Sequence, residues 1–180
     1  MWWRPAVFAV SVVLAGVPAA ASTFALETSA FLNGGLIPST DAASSGTCGG
    51  RNVSPPLLLS GAPPNARSFA LVVFDPDAAA GHGFVHWVAY GIAPAAVRFG
   101  AGLGSQPSPA FTGGVNDAGT AIYFGPCPPP GDPPHHYVFT AYALDFAPGR
   151  LRPGLTRAAL LHAIAGHTLA QATITGRFGR

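Results

Sequence analysis

Short apolar runs of strand length punctuate a chain otherwise rich in glycine, proline and small polar residues. Ser68–Phe74 (SFALVVF) is an unbroken apolar run stopped by Asp75-Pro76-Asp77, and it predicts a buried strand. Phe84–Ile92 (FVHWVAYGI) predicts a second strand. Two-residue alternation would put Phe84, His86, Val88 and Tyr90 on one face, and Val85, Trp87 and Ala89 on the other. His135–Phe146 (HHYVFTAYALDF) predicts the longest strand, with His135, Tyr137 and Phe139 on one face and His136 and Val138 on the opposite one. One helix is predicted, capped by Thr156, with Leu160, Leu161 and Ile164 as its apolar stripe and Gly166 as its stop. Residues 168–178 predict a last strand, while 22–48 show no clear period and 93–121 read as mostly loop.

Composition supports a β-rich reading. Glycine (23) and proline (19) together make up nearly a quarter of the 180 residues, which leaves little room for long helices. The length suits one domain, and 49% hydrophobic residues suffice for a core. All nine basic residues are arginine, so a phosphate-loop lysine and a Schiff-base lysine are excluded. A net charge of +2, scattered along the chain, gives no footprint for nucleic acid.

The first residues carry an export pattern. Arg4 precedes the apolar stretch Ala6–Val17, and Ala19-Ala20-Ala21 supplies a small-residue cleavage site. Residues 1–21 are therefore expected to be a signal peptide, and 22–180 the mature domain, periplasmic or secreted. The stretch is short for a spanning helix, so no stable membrane anchor is expected. In an oxidising compartment the two cysteines, Cys48 and Cys127, are expected to form one disulfide.

Few side chains can carry chemistry. Asp75 and Asp77 flank Pro76 at a strand end, where i and i+2 face the same way. His86 lies in a strand apolar on both faces and needs a polar partner. His135 follows the proline-rich loop Gly125–Pro134. No GxSxG or HExxH motif is present, no ligand spacing supports a metal site, and no cofactor is expected.

Together, FDPDAAAGHGFVHW at 74–87 and NDAGTAIYFGPCPPPGDPPHHYVFTAYALD at 116–145 resemble the phosphatidylethanolamine-binding protein family, in particular its bacterial Raf-kinase-inhibitor-like branch. CGGRNVSPPL at 48–57 and ATITGRFGR at 172–180 add to the resemblance, which spans essentially the whole mature chain. It implies a mainly β fold, a sandwich of two antiparallel sheets with a short C-terminal helix. It also implies a small anion pocket, here built from Asp75, Asp77, His86, Cys127, Pro128, His135 and Tyr137, with Phe84 on its apolar rim. Three positions depart from the family pattern: Ala79 stands where proline is frequent, Leu59 where tryptophan is common, and His136 where arginine is frequent.

Bare carboxylates beside an anion would repel it. Asp75 and Asp77 are therefore expected to orient His86 and His135, which would meet the anion as imidazolium, while Tyr137 and backbone amides of residues 125–128 add donors. This is a design for binding a small anionic or phosphorylated ligand, not for catalysis. Two alternatives stand beside it: a protein-interaction or inhibitor module with a vestigial pocket, and a hydrolase using a His/Asp pair.

Overall fold

A computed structural model of the chain describes Met1 and residues 23–180; the expected signal peptide and its cleavage site lie outside the described residues. Eight strands form two antiparallel sheets. Strands β1 (Ala25–Glu27), β2 (Leu57–Ser60) and β5 (Arg98–Phe99) make the smaller sheet, in the order β1-β2-β5. Strands β3 (Ser68–Asp75), β4 (Phe84–Ile92), β6 (Thr112–Gly113), β7 (His135–Leu144) and β8 (Thr168–Phe178) make the larger one, in the order β6-β4-β3-β7-β8.

The continuous apolar run of β3 has a simple cause: this central strand is covered on both faces. Phe69, Leu71 and Val73 point into the core between the sheets, where they join Leu26, Leu57, Leu59, Trp87 and Phe139. Ala70 and Val72 point the other way, into a second core with Val88, Tyr90 and Leu144. That second core is closed by Leu160 and Ile164 of the helix α1 (Arg157–Ile164). The two residues are one helical turn apart and share a face. The Thr156 side chain accepts from the Ala159 N–H at 3.3 Å and caps the helix as expected.

Strand β4 departs from simple alternation. Val73 pairs with Trp87 and Phe74 with Val85, so His86 is an extra residue opposite β3. The bulge resets the faces: Val85 falls in the helix-side core with Val88 and Tyr90, and not with Trp87 and Ala89 as alternation predicts. A second irregularity near Gly91, whose φ is +65°, lets the strand keep its pairing to Ile92. Cys48 and Cys127 are bonded to each other, with Cα atoms 5.2 Å apart across 79 positions of sequence.

Candidate functional site

The site forms where β3 ends, β4 bulges and β7 begins. At the end of β3 the chain turns on Asp75, whose Oδ1 accepts from the backbone N–H groups of Asp77 (2.8 Å) and Ala78 (3.2 Å). Its Oδ2 lies 2.8 Å from His135 Nδ1. A carboxylate accepts, so His135 Nδ1 carries a proton. Asp75 is 2% exposed, and these three hydrogen bonds compensate its burial.

The bulge in β4 places the His86 ring against Tyr137 of β7, with ring centroids 5.1 Å apart, and against Phe84 at 4.8 Å. Its backbone carbonyl, displaced from the ladder, accepts from Asn116 Nδ2 (3.0 Å) and Phe124 N–H (3.0 Å). His86 Nδ1 lies 2.7 Å from the Phe124 carbonyl oxygen. That oxygen only accepts, so Nδ1 is the protonated nitrogen and the lone pair of the neutral ring sits on Nε2.

The loop leading to β7 is held at its base from several sides. Asn52 clamps it with both ends of its amide: Nδ2 donates to the Tyr123 carbonyl (2.9 Å) and Oδ1 accepts from Gly125 N–H (2.7 Å). Ala43 N–H donates to the Pro126 carbonyl at 3.0 Å, and the disulfide fixes Cys127. The approach is so close that a Cβ on Gly125 would overlap the Asp41 backbone oxygen. Arg180 Nε donates to the Pro128 carbonyl (2.7 Å), while its Nη1 donates to the Thr47 carbonyl (2.7 Å).

These elements surround a cavity of about 430 Å³. All eight residues expected from the sequence line it: Asp75, Asp77, Phe84, His86, Cys127, Pro128, His135 and Tyr137. Phe124, Asp132, Pro129, Ala78 and Ala80 also line it and had no signal in the sequence, and Ala79, noted there only as a departure from the family pattern, joins them. Asp132 Oδ2 lies 3.7 Å from His135 Nε2, the nitrogen that Asp75 leaves free. Ala79 and Ala80 hold φ values of +51° and +55°, a backbone region that alanine seldom adopts.

Three expectations about roles need correction. Asp77 orients neither cavity histidine. Its Oδ2 lies 2.8 Å from His136 Nδ1 and accepts the His136 N–H at 2.7 Å. The strand rule fails there because β3 ends at Asp75 and the chain turns before Asp77. Slight burial works against the Asp77 charge, but its hydrogen bonds and attraction to His136 outweigh this and lower its pKa. His86 is held by a carbonyl and not by a carboxylate, and burial lowers its pKa. The expected cluster of amide donors at 125–128 also does not form. Gly125 N–H is taken by Asn52, prolines 126 and 128 have none, and Cys127 alone retains an N–H free of backbone hydrogen bonds.

Tyr137 keeps its donor. The hydroxyl is buried with no partner in hydrogen-bond geometry among the described residues, although the Asp75 carboxylate and the Cys127 backbone lie nearby. Burial first, then the Asp75 charge, pushes its pKa up, so it stays a phenol.

Burial of neutral His86 has a measurable consequence. Its folded pKa lies below the ordinary 6.5, so the unfolded chain binds the extra proton first as pH falls. His86 thus adds no penalty above pH 6.5 and destabilises the fold progressively below it. NMR titration should show a His86 midpoint under 6.5 with the Nδ1–H tautomer throughout; a midpoint above 6.5 would refute this assignment.

The family model for phosphatidylethanolamine-binding proteins matches residues 27–179. The chain belongs to the phosphatidylethanolamine-binding protein family. A UPF0098 protein of Methanothermobacter thermautotrophicus is 40% identical over 158 residues, covering 86% of this chain and 98% of the relative. LppC of Mycobacterium tuberculosis, a candidate lipoprotein by its name, is 43% identical over 132 residues, covering 73% of this chain and 63% of LppC. The crystal structure of Escherichia coli YbcL, described as a new member of the mammalian family, superposes with a TM-score of 0.80 at 30% identity. That superposition covers 87% of this chain and 98% of YbcL.

Within this member of the family, the three departures from the family pattern have different weights. Leu59 is 5% exposed in the core between the sheets, away from the cavity lining. His136 is exposed and engaged with Asp77. Ala79 matters most, because proline is locked near −65° and has no access to a φ of +51°. This cavity wall has a backbone path that a proline at 79 would forbid.

Proposed function

We propose that the chain is an exported, non-enzymatic binding protein whose cavity takes phosphate or a small phosphorylated head group. One observation carries this reading. Asp75 holds His135 and its own turn, while His135 Nε2, the Tyr137 hydroxyl and the Cys127 N–H have no partner in hydrogen-bond geometry among the described residues and face a ligand. The rim, formed by Phe84, Phe124 and Ala78–Ala80, favours an apolar or small substituent on that ligand. Cys127, the thiol-bearing residue of the lining, is in the disulfide and offers no nucleophile. The apolar segment Ala6–Val17, the bridge and the lipoprotein name of a relative support export.

Calorimetric titration of the purified protein with inorganic phosphate and phosphoethanolamine tests binding. His135→Ala should weaken it by about 1.5–3 kcal/mol, the usual worth of a hydrogen bond to a charged group. Unchanged affinity would remove His135 from the site. Turnover of phosphate esters, with or without added metal, would overturn the non-enzymatic reading.

A further inference from the structure

We propose that the cavity selects a phosphate group that brings its own proton, a phosphomonoester or free phosphate with a P–OH, and rejects sulfate and phosphodiesters. This rests on the reading of the cavity as a phosphate site and narrows it.

The lining pairs few donors with several acceptors that only a ligand proton can satisfy. His86 Nδ1–H is committed to the Phe124 carbonyl at 2.7 Å, and Nε2 has no hydrogen bond within the described residues. In the neutral ring that nitrogen can only accept. The surroundings favour the neutral ring. Phe84, Phe124 and Tyr137 wall it on three sides, with centroids 4.8, 6.1 and 5.1 Å away. The charged groups acting on it are Asp75 and Asp117, opposed by burial and by His135. His135 Nε2 behaves similarly. Its Nδ1–H goes to Asp75 at 2.8 Å, so Nε2 accepts when the ring holds one proton and donates only when it holds two.

The lining also holds donors: the buried Tyr137 hydroxyl, the Cys127 N–H, which is the one amide in the run Pro126–Pro130, and the Ala79 and Ala80 N–H groups, which carry no hydrogen bond within the described residues. Neither lysine nor arginine lines the cavity, whereas three carboxylates do, those of Asp75, Asp77 and Asp132. A ligand with only acceptor oxygens would meet the His86 lone pair and this negative field without a proton to offer. A P–OH can donate to His86 Nε2 while the remaining oxygens accept from Tyr137 and Cys127. Sulfate at neutral pH has no such proton. A phosphodiester has none either, so an intact phospholipid head group falls on the rejected side.

The test is a ligand series on the unmodified protein, by calorimetry at pH 5.5, 6.5 and 7.5. The probes are inorganic phosphate, methyl phosphate, methylphosphonate, dimethyl phosphate and sulfate. At pH 5.5, phosphate and methyl phosphate should bind at least about tenfold more tightly than sulfate or dimethyl phosphate, the ratio expected for one lost hydrogen bond to a charged group. Methyl phosphate affinity should fall about tenfold per pH unit once its second ionisation, near 6, is passed. The profile for methylphosphonate, which ionises at higher pH, should shift upward accordingly; a histidine titration would not follow the ligand. Methyl phosphate tighter than phosphate assigns the site to an esterified group, and the reverse assigns it to free phosphate; either supports the proposal. Equal or tighter binding of sulfate or dimethyl phosphate overturns it and leaves the phosphate-site reading standing. Binding of none of the five overturns both.

Discussion

Reduction of the Cys48–Cys127 bridge is expected to destabilise the protein by about 2–4.5 kcal/mol. The upper figure is the chain-entropy estimate for a closed loop of about 80 residues. For a domain of this size that corresponds to a melting temperature lower by roughly 5–15 °C. The loss acts mainly through the unfolded chain, because several native contacts bridge the same segments without the sulfurs. Ala43 N–H still reaches the Pro126 carbonyl, and Asn52 still clamps Tyr123 and Gly125. The reduced protein should therefore melt cooperatively, at lower temperature, with its ligand affinity changed far less than its stability. Thermal denaturation of the oxidised protein, the reduced protein and the C48S/C127S variant decides this; coincident melting curves would refute it.

Asp75→Ala should lower stability by about 2–4 kcal/mol, since each donor left unpaired where water cannot reach it costs about 1–3 kcal/mol. The substitution strands three groups at once: His135 Nδ1–H and the N–H groups of Asp77 and Ala78. His135 is itself buried at 6% exposure, so water does not readily replace the carboxylate. Asp77→Ala serves as the contrast. Its partner His136 is exposed, and exposed pairs contribute little. Urea denaturation of both variants should therefore separate them widely. A loss below about 1 kcal/mol for Asp75→Ala would mean that the pair is not what holds this corner of the fold.

The strands that carry their own burial pattern were legible in the sequence. β3, β4, β7 and β8 stand close to their expected limits, as does α1 with its Thr156 cap. β1, β5 and β6 have two or three residues each, and their pairing with distant strands defines them. Local periodicity holds no record of such pairing. At the site, the family resemblance carried by residues 74–87 and 116–145 implied which residues line the cavity but not their wiring. The His86 bulge needs the register against β3, and the partner of Asp77 depends on where that strand stops. Asp132 reaches His135 Nε2 across one turn of a proline-rich loop, a closeness that its sequence does not announce.

The anchoring of that loop bears on how the protein could change. Gly125, Pro126 and Cys127 are fixed from the Asn52 side, and β7 takes over at His135, paired with Phe178. Between these anchors, Pro129–Pro134 form an exposed tip that contributes no side chain to either core. Folding and recognition are thus largely uncoupled here. The tip can exchange residues, Asp132 included, without disturbing the scaffold that pins its ends. Under the proposed function, new ligand preferences would be reached through this six-residue cassette, which makes the corner the natural place to diversify when building a family of anion receptors on one frame.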